Sequence, residues 1–233
     1  MTRLGLLRMC ELPGAVVEAQ GSYLSVFEAF FGPVGAELVD FAVHDGDAPS
    51  SIDEVDGWVI SGSPASVYDD LDWIATAEEI VRAVIAAERP LLGICFGHQL
   101  MTQALGGRVE KAIGGWGAGA HDYEVVARPH GGAELPTTLR VLAMHQDQVV
   151  APAPDAERWL TSQFCPNAGF RYGERAWSLQ PHPEFTPALV AQLCRDRRER
   201  LGDAVADTAL ASLDRPLDGH SVAAAAMAVA VPG

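Results

Sequence analysis

The chain has 233 residues, 48% of them hydrophobic, which is enough to bury a sizeable core and excludes a disordered chain. Its 31 acidic residues against 16 basic ones give a formal net charge of −15. So negative a surface repels phosphate backbones and anionic lipid, so neither nucleic acid nor membrane is expected as a partner.

Residues 3–9 form a short apolar run read as a first buried strand, and residues 37–43 read as a second. The N-terminal run is interrupted by Arg8 and lacks a small-residue cleavage site, so it makes a poor signal peptide. Residues 57–61 read as a third strand that runs into the turn GSPASVYDD. Apolar spacing predicts a helix over 72–88 with Asp72 as N-cap. Pro90 restarts an extended run, PLLGIC, and HQLMTQALGG reads as a helix ending at Gly106-Gly107. This alternation of strand and helix predicts a parallel sheet covered on both faces.

The second half differs. Segments 122–128, 139–144, 158–164 and 168–172 are short strand candidates between Gly and Pro, some of them antiparallel additions, and 176–180 reads as a late strand. Residues 186–201 read as a helix with Thr186 as N-cap and Pro187 at its first position. A polar, Asp-rich stretch leads to an Ala-rich helix near 219–230. No composition break marks a second domain, so 1–233 is read as one domain with a C-terminal helical extension from about 203. The apolar tail from Val222 to Val231 is about half the length of a membrane span.

Gly93-Ile94-Cys95-Phe96-Gly97 carries the strongest chemical signal. Glycines two before and two after Cys95, between a strand and a helix, make a sharp elbow that lifts the thiol out at the end of the strand. There it faces a helix N-terminus, whose partial positive charge stabilises an anion. A buried structural cysteine is the alternative. The other cysteines, Cys10, Cys165 and Cys194, show no spacing of a zinc site or redox motif and are too sparse for a disulfide framework. A reduced, cytoplasmic protein with no metal and no cofactor is expected.

Of seven histidines (44, 98, 121, 130, 145, 182 and 220), His182 stands out, in Gln180-Pro181-His182-Pro183-Glu184-Phe185 just past a predicted strand. In extended backbone residues i and i+2 point the same way, so Glu184 can accept from the second ring nitrogen of His182. Cys95, His182 and Glu184 then form a nucleophile, a general acid/base and its orienter. The alternative for the last two is a surface pair in a turn. His98, on the first turn after the elbow, is read as a packing residue.

GICFGHQL, ISGSPASVYDD, MHQDQV and QPHPEF together resemble the class I glutamine amidotransferases, and most of all the amidotransferase domain of GMP synthase and its stand-alone relatives. The resemblance covers about residues 40–200. It implies a flavodoxin-like α/β fold, a three-layer sandwich around a mostly parallel sheet of about seven strands, and a γ-glutamyl thioester on Cys95. It places the oxyanion hole at the backbone amides of Gly62 and Phe96. It places substrate binding at Gln99, His145 and Gln146, where the family's usual pattern has Gly in place of Gln146 and Ser in place of Met144. Gly115-Trp116-Gly117 resembles a pocket-lining segment of stand-alone members.

No Ser-Gly-Gly-x-Asp-Ser loop and no G-x-x-x-x-G-K-[ST] loop is present, so nothing in the sequence activates an acceptor with ATP. Three readings follow. The chain hydrolyses glutamine to glutamate and ammonia for a separate synthetase; or it acts alone on γ-glutamyl peptides or amines as a hydrolase or transferase; or it is a non-catalytic binding module, against which the intact triad argues.

Overall fold

A computed structural model of the chain describes residues 1–128 and 135–230; His130 lies outside them. The first half contains strands β1 (Thr2–Leu7), β2 (Ala36–Phe41), β3 (Gly57–Ile60) and β4 (Leu91–Ile94). Helices α1 (Gly14–Gln20), α2 (Tyr23–Phe31), α3 (Asp72–Ala86) and α4 (Phe96–Ala104) alternate with them. The second half adds β5 (Arg108–Lys111), β6 (Gly117–Val125), β7 (Thr138–His145), β8 (Asp147–Ala151), β9 (Glu157–Thr161), β10 (Gly169–Tyr172) and β11 (Ala176–Leu179). Helices α5 (Pro187–Asp196), α6 (Arg198–Leu201), α7 (Asp203–Ala211) and α8 (Gly219–Ala230) follow.

Among the described residues the main sheet has nine strands, in the order β2-β1-β3-β4-β11-β10-β9-β6-β7. The pairs β2/β1, β1/β3, β3/β4 and β4/β11 are parallel, and β10, β9, β6 and β7 continue the sheet antiparallel. The sheet is thus larger than the seven strands the family resemblance implies. A separate antiparallel ribbon, β5 with β8, is absent from the sequence reading. Its exposed charged residues, as in Arg108-Val109-Glu110-Lys111, hide the apolar run a strand search needs.

Successive strand residues point to opposite faces, and the core divides accordingly. Leu4, Leu6, Val59, Leu92 and Ile94 join one cluster with α2, α5, α7 and α8. Leu7, Trp58, Ile60 and Leu91 join the other with α3 and α4. This is the expected three-layer arrangement. Two helices, α1 and α2, are missing from the sequence reading, although Ser22 caps α2 by accepting from the Ser25 N–H at 3.1 Å. A further correction concerns α3: Leu71 occupies the N-cap position without a side-chain bond, and Asp72 is the first helical residue. At α5 the expectation holds, since the Thr186 hydroxyl accepts from the Leu189 N–H at 3.1 Å and Pro187 follows it. The Asp-rich stretch after α5 contains α7. No helix among the described residues is long and apolar enough to cross a membrane.

Candidate active site

The parallel strands end level: Leu7 pairs with Ile60, Ile60 with Gly93, and Ile94 with Leu179. The residues just beyond these strands therefore meet at the carboxyl edge of the sheet, where open α/β sheets place their sites. They are Cys10, the Ser61–Ser63 turn, Cys95 and the segment Gln180–Glu184.

Cys95 sits between β4 and α4 with φ 53° and ψ −102°, a conformation that side chains other than glycine rarely adopt. Its N–H donates to Leu179 O at 2.9 Å, and its C=O accepts from the Gln99 N–H. Both elbow glycines are compelled by close approach. A Cβ on Gly93 would lie 2.7 Å from Gly97 O, and one on Gly97 would lie 2.7 Å from Ile60 O, backbone atoms that cannot swing aside. The residue is 5% exposed. Burial pushes the Cys10 and Cys165 thiols up to about 12 and raises that of Cys194, which leaves these three protonated at neutral pH.

His182 Nδ1 lies 2.7 Å from Glu184 Oε1, so the expected pair forms, with both side chains buried. The reason differs from the extended backbone that the sequence suggests. His182 makes a single bridge to β7, its N–H donating to Leu142 O at 2.7 Å, and Pro183 and Glu184 then turn back beneath the ring. Phe185 stacks on the imidazole, centroids 3.9 Å apart and planes 7° apart. Burial alone would lower the His182 value. The Cys95 and Glu184 charges facing it, and its hydrogen bonds to both, outweigh burial and push it up to about 10. With Nδ1 committed to Glu184, Nε2 is the nitrogen left to serve Cys95.

The resemblance puts an oxyanion donor on Gly62, yet the Gly62 N–H already donates to the Tyr23 hydroxyl at 3.1 Å. Tyr23 is fully buried; burial, with Glu184 adding, pushes its hydroxyl well above its ordinary value. The phenol therefore stays protonated and can donate in turn to Glu184 Oε1 at 3.3 Å. A Cβ on Gly62 would strike both the Tyr23 hydroxyl, at 2.9 Å, and the His182 ring, at 2.8 Å. The next amide, that of Ser63, has no acceptor among the described backbone bonds. The Phe96 N–H, at the first position of α4, is one of the unpaired donors every helix start presents.

Gln99, His145 and Gln146 all line a cavity that opens on Cys95, together with Lys111, Trp116 and Arg200. Arg200 lies 4.9 Å above the Trp116 ring. His145 is buried, and burial pushes it down to about 3, so its ring is neutral. Nδ1 donates to Asp147 O at 3.3 Å, and the buried Nε2 has no partner, which leaves a free acceptor. His98 is a packing residue, as expected. Its Nε2 must donate to the Asn167 carbonyl at 3.1 Å, so its Nδ1 accepts from the Ser178 hydroxyl at 2.8 Å.

A second cavity shares Cys95 and Met144 with the first but is lined by Leu12, Tyr23, Phe185 and Leu193. Half-buried Arg197 borders both cavities. Burial, then Arg200, push it below its ordinary value. Tyr23 and Arg197 carried no motif in the sequence. A hydrophobic helix face hid the first and a run of basic residues hid the second. No group of three or more His, Cys, Asp or Glu among the described residues is placed to hold a metal ion.

The family model for glutamine amidotransferase class-I matches residues 15–194. The chain is 33% identical over 186 residues to gamma-glutamyl peptidase 3 of Arabidopsis thaliana, covering 76% of this chain and 75% of that protein. It is 40% identical over 129 residues to a glutamine-hydrolyzing GMP synthase of Listeria monocytogenes, covering 55% of this chain and 24% of that one. The fold superposes on the crystal structure of a glutamine amidotransferase from Thermotoga maritima with a TM-score of 0.77, at 21% identity, over 98% of this chain and 96% of that one.

Proposed function

The chain belongs to the class I glutamine amidotransferase family, and we propose that it hydrolyses γ-glutamyl amides through a thioester on Cys95. The observation that carries this reading is the line from Cys95 through His182 to Glu184, with the imidazole pushed up to about 10 and so charged at neutral pH.

The Cys95 thiolate attacks the γ-carbonyl carbon of the substrate. Its C–O π pair moves onto oxygen, and the oxyanion forms against the amides of Phe96 and Ser63, since Gly62 is engaged by Tyr23. As the tetrahedral intermediate collapses, His182 gives its Nε2 proton to the departing amine and the C–N bond breaks. The now neutral imidazole takes a proton from water, whose oxygen attacks the thioester carbon. The C–S bond breaks, glutamate leaves, and the thiolate faces imidazolium again. Glu184 keeps the ring oriented and supports its charge in both halves. Gln99, Gln146 and the free His145 Nε2 hold the polar end of the glutamyl group.

Two leaving groups fit this chemistry. Ammonia from glutamine needs no second cavity, whereas an amine or amino acid does. The apolar cavity of Leu12, Phe185 and Leu193, bordered by the Arg197 guanidinium, favours a γ-glutamyl peptide as substrate. The similarity to a gamma-glutamyl peptidase over three quarters of both chains supports the same choice. Similarity to GMP synthase supports the alternative, ammonia supply to a separate synthetase. Because α7 and α8 pack on the same core as α2 and α5, we read the whole chain as one domain.

The test is glutamate release from glutamine, γ-glutamyl dipeptides and γ-glutamyl amines, with Cys95→Ala beside the wild type. Cys95-dependent release that is faster from dipeptides than from glutamine is expected. Faster release from glutamine would return the chain to ammonia supply, and equal release by Cys95→Ala would overturn the mechanism.

A further inference from the structure

Gln180 opens the QPHPEF segment, is fully buried, and has no part in the chemistry described so far. It directly follows β11, and its backbone is held by its N–H donating to Ala168 O at 2.8 Å. Its side chain lies between Gln99 and Cys95.

Carboxamide orientation is fixed by the network around it. Asp147 O is a carbonyl and can only accept, so Gln99 must turn its NH2 group toward it, at 2.8 Å. That same nitrogen lies 3.1 Å from the Gln180 carboxamide, so Gln180 must turn its oxygen toward Gln99. The remaining end of Gln180, its NH2, then faces Cys95 Sγ at 3.6 Å. A single backbone carbonyl, that of Asp147 at the start of β8, thus dictates which end of Gln180 meets the nucleophile.

We propose that Gln180 is a further catalytic residue, whose carboxamide N–H donates to the Cys95 sulfur and stabilises the thiolate opposite His182. The inference rests on the reading of Cys95 as the nucleophile. The sulfur is an anion before attack and again when the thioester collapses, and it is a weak acceptor in between. A fixed neutral donor therefore favours the charged form at both ends of the cycle without giving up a proton. Gln99, one step removed, is a positioning residue for Gln180 as well as a wall of the glutamyl cavity.

The experiment is alkylation of the full chain by iodoacetamide across pH, with modification of the Cys95 peptide read by mass spectrometry and thermal unfolding recorded beside it. On the acid side of the profile Gln180→Met is expected to react about tenfold more slowly than wild type, the scale of one hydrogen bond to a charged group. The two rates converge as pH rises and the thiolate forms without help. Gln99→Met, which frees Gln180 to rotate, gives a smaller slowing, and the double variant is no slower than Gln180→Met. A purely structural role has the opposite sign, because loosening around a buried thiol exposes it and speeds alkylation. Unchanged or faster alkylation in Gln180→Met overturns the proposal, and should that variant fail to fold, the same result in Gln99→Met does so. The probe needs no turnover, so the two failures separate. If only the Gln180 role is wrong, γ-glutamyl hydrolysis persists with unaltered alkylation. If the nucleophile assignment is wrong, Cys95→Ala keeps its hydrolytic activity.

Discussion

Replacing Glu184 with Gln alters the site by one charge at nearly constant volume, and the structure sets the size of the effect. Glu184 Oε1 takes the His182 Nδ1–H at 2.7 Å and the Tyr23 hydroxyl at 3.3 Å, while Oε2 is buried without a partner. In Glu184→Gln the amide oxygen can still accept from His182, so the ring keeps its direction. The charge that helps push His182 up to about 10 is gone. A hydrogen bond to a charged group contributes about 1.5–3 kcal/mol. A loss of that size shifts an ionisation by roughly one to two pH units, at about 1.4 kcal/mol per unit. His182 acts as an acid only while charged, so activity is lost as pH rises through its value, and lowering that value moves the alkaline limb toward neutrality. The expected result is an alkaline limb displaced to lower pH by roughly one to two units, so that kcat/KM falls about ten- to a hundredfold below wild type on the alkaline side and less near neutral pH. The assay is glutamate release from a γ-glutamyl substrate between pH 6 and 10. An alkaline limb that stays in place in Glu184→Gln would refute the role given to this pair.

Tyr23→Phe leaves the Gly62 N–H without its acceptor and removes a donor from Glu184. It is expected to lower kcat about tenfold, the scale of one buried bond, with KM nearly unchanged; steady-state kinetics that show only a KM effect would contradict this. Arg197→Met keeps the apolar stem and removes the guanidinium that borders both cavities. It is expected to raise KM for γ-glutamyl dipeptides, which carry a carboxylate on the leaving amine, and to spare γ-glutamyl amines, which do not. An equal effect on both substrate sets would sink the role assigned to Arg197.

The parallel half of the fold was legible because its strands, Trp58–Ile60 and Leu91–Ile94, are buried on both faces and read as unbroken apolar runs that end in turn residues. The elbow was legible because a tight strand-to-helix turn forces glycine at both Gly93 and Gly97. The His182–Glu184 pair was found from its spacing, although a turn rather than extended backbone brings the two together. What escaped depended on residues distant in sequence. That Tyr23 would take the Gly62 amide is decided by the packing of α2 against the sheet, a separation of 39 residues. The facing of Gln180 toward Cys95 is decided by the carbonyl of Asp147 through Gln99, across separations of 48 and 81 residues. In the β5–β8 ribbon, Arg108, Glu110 and Lys111 leave β5 without an apolar pattern, and pairing with β8 makes it a strand. Local patterns located Cys95 and the His182–Glu184 pair, and tertiary contacts selected the donors around them.

The most direct test is to trap the acyl-enzyme. Wild type is mixed with a γ-glutamyl dipeptide, quenched in acid within one turnover, and examined by mass spectrometry. The expected result is a γ-glutamyl group on the Cys95 peptide, absent from Cys95→Ala and lost on standing at neutral pH. Turnover with no adduct on Cys95, or an adduct on Cys10, Cys165 or Cys194 instead, would contradict the assignment of Cys95 as the nucleophile.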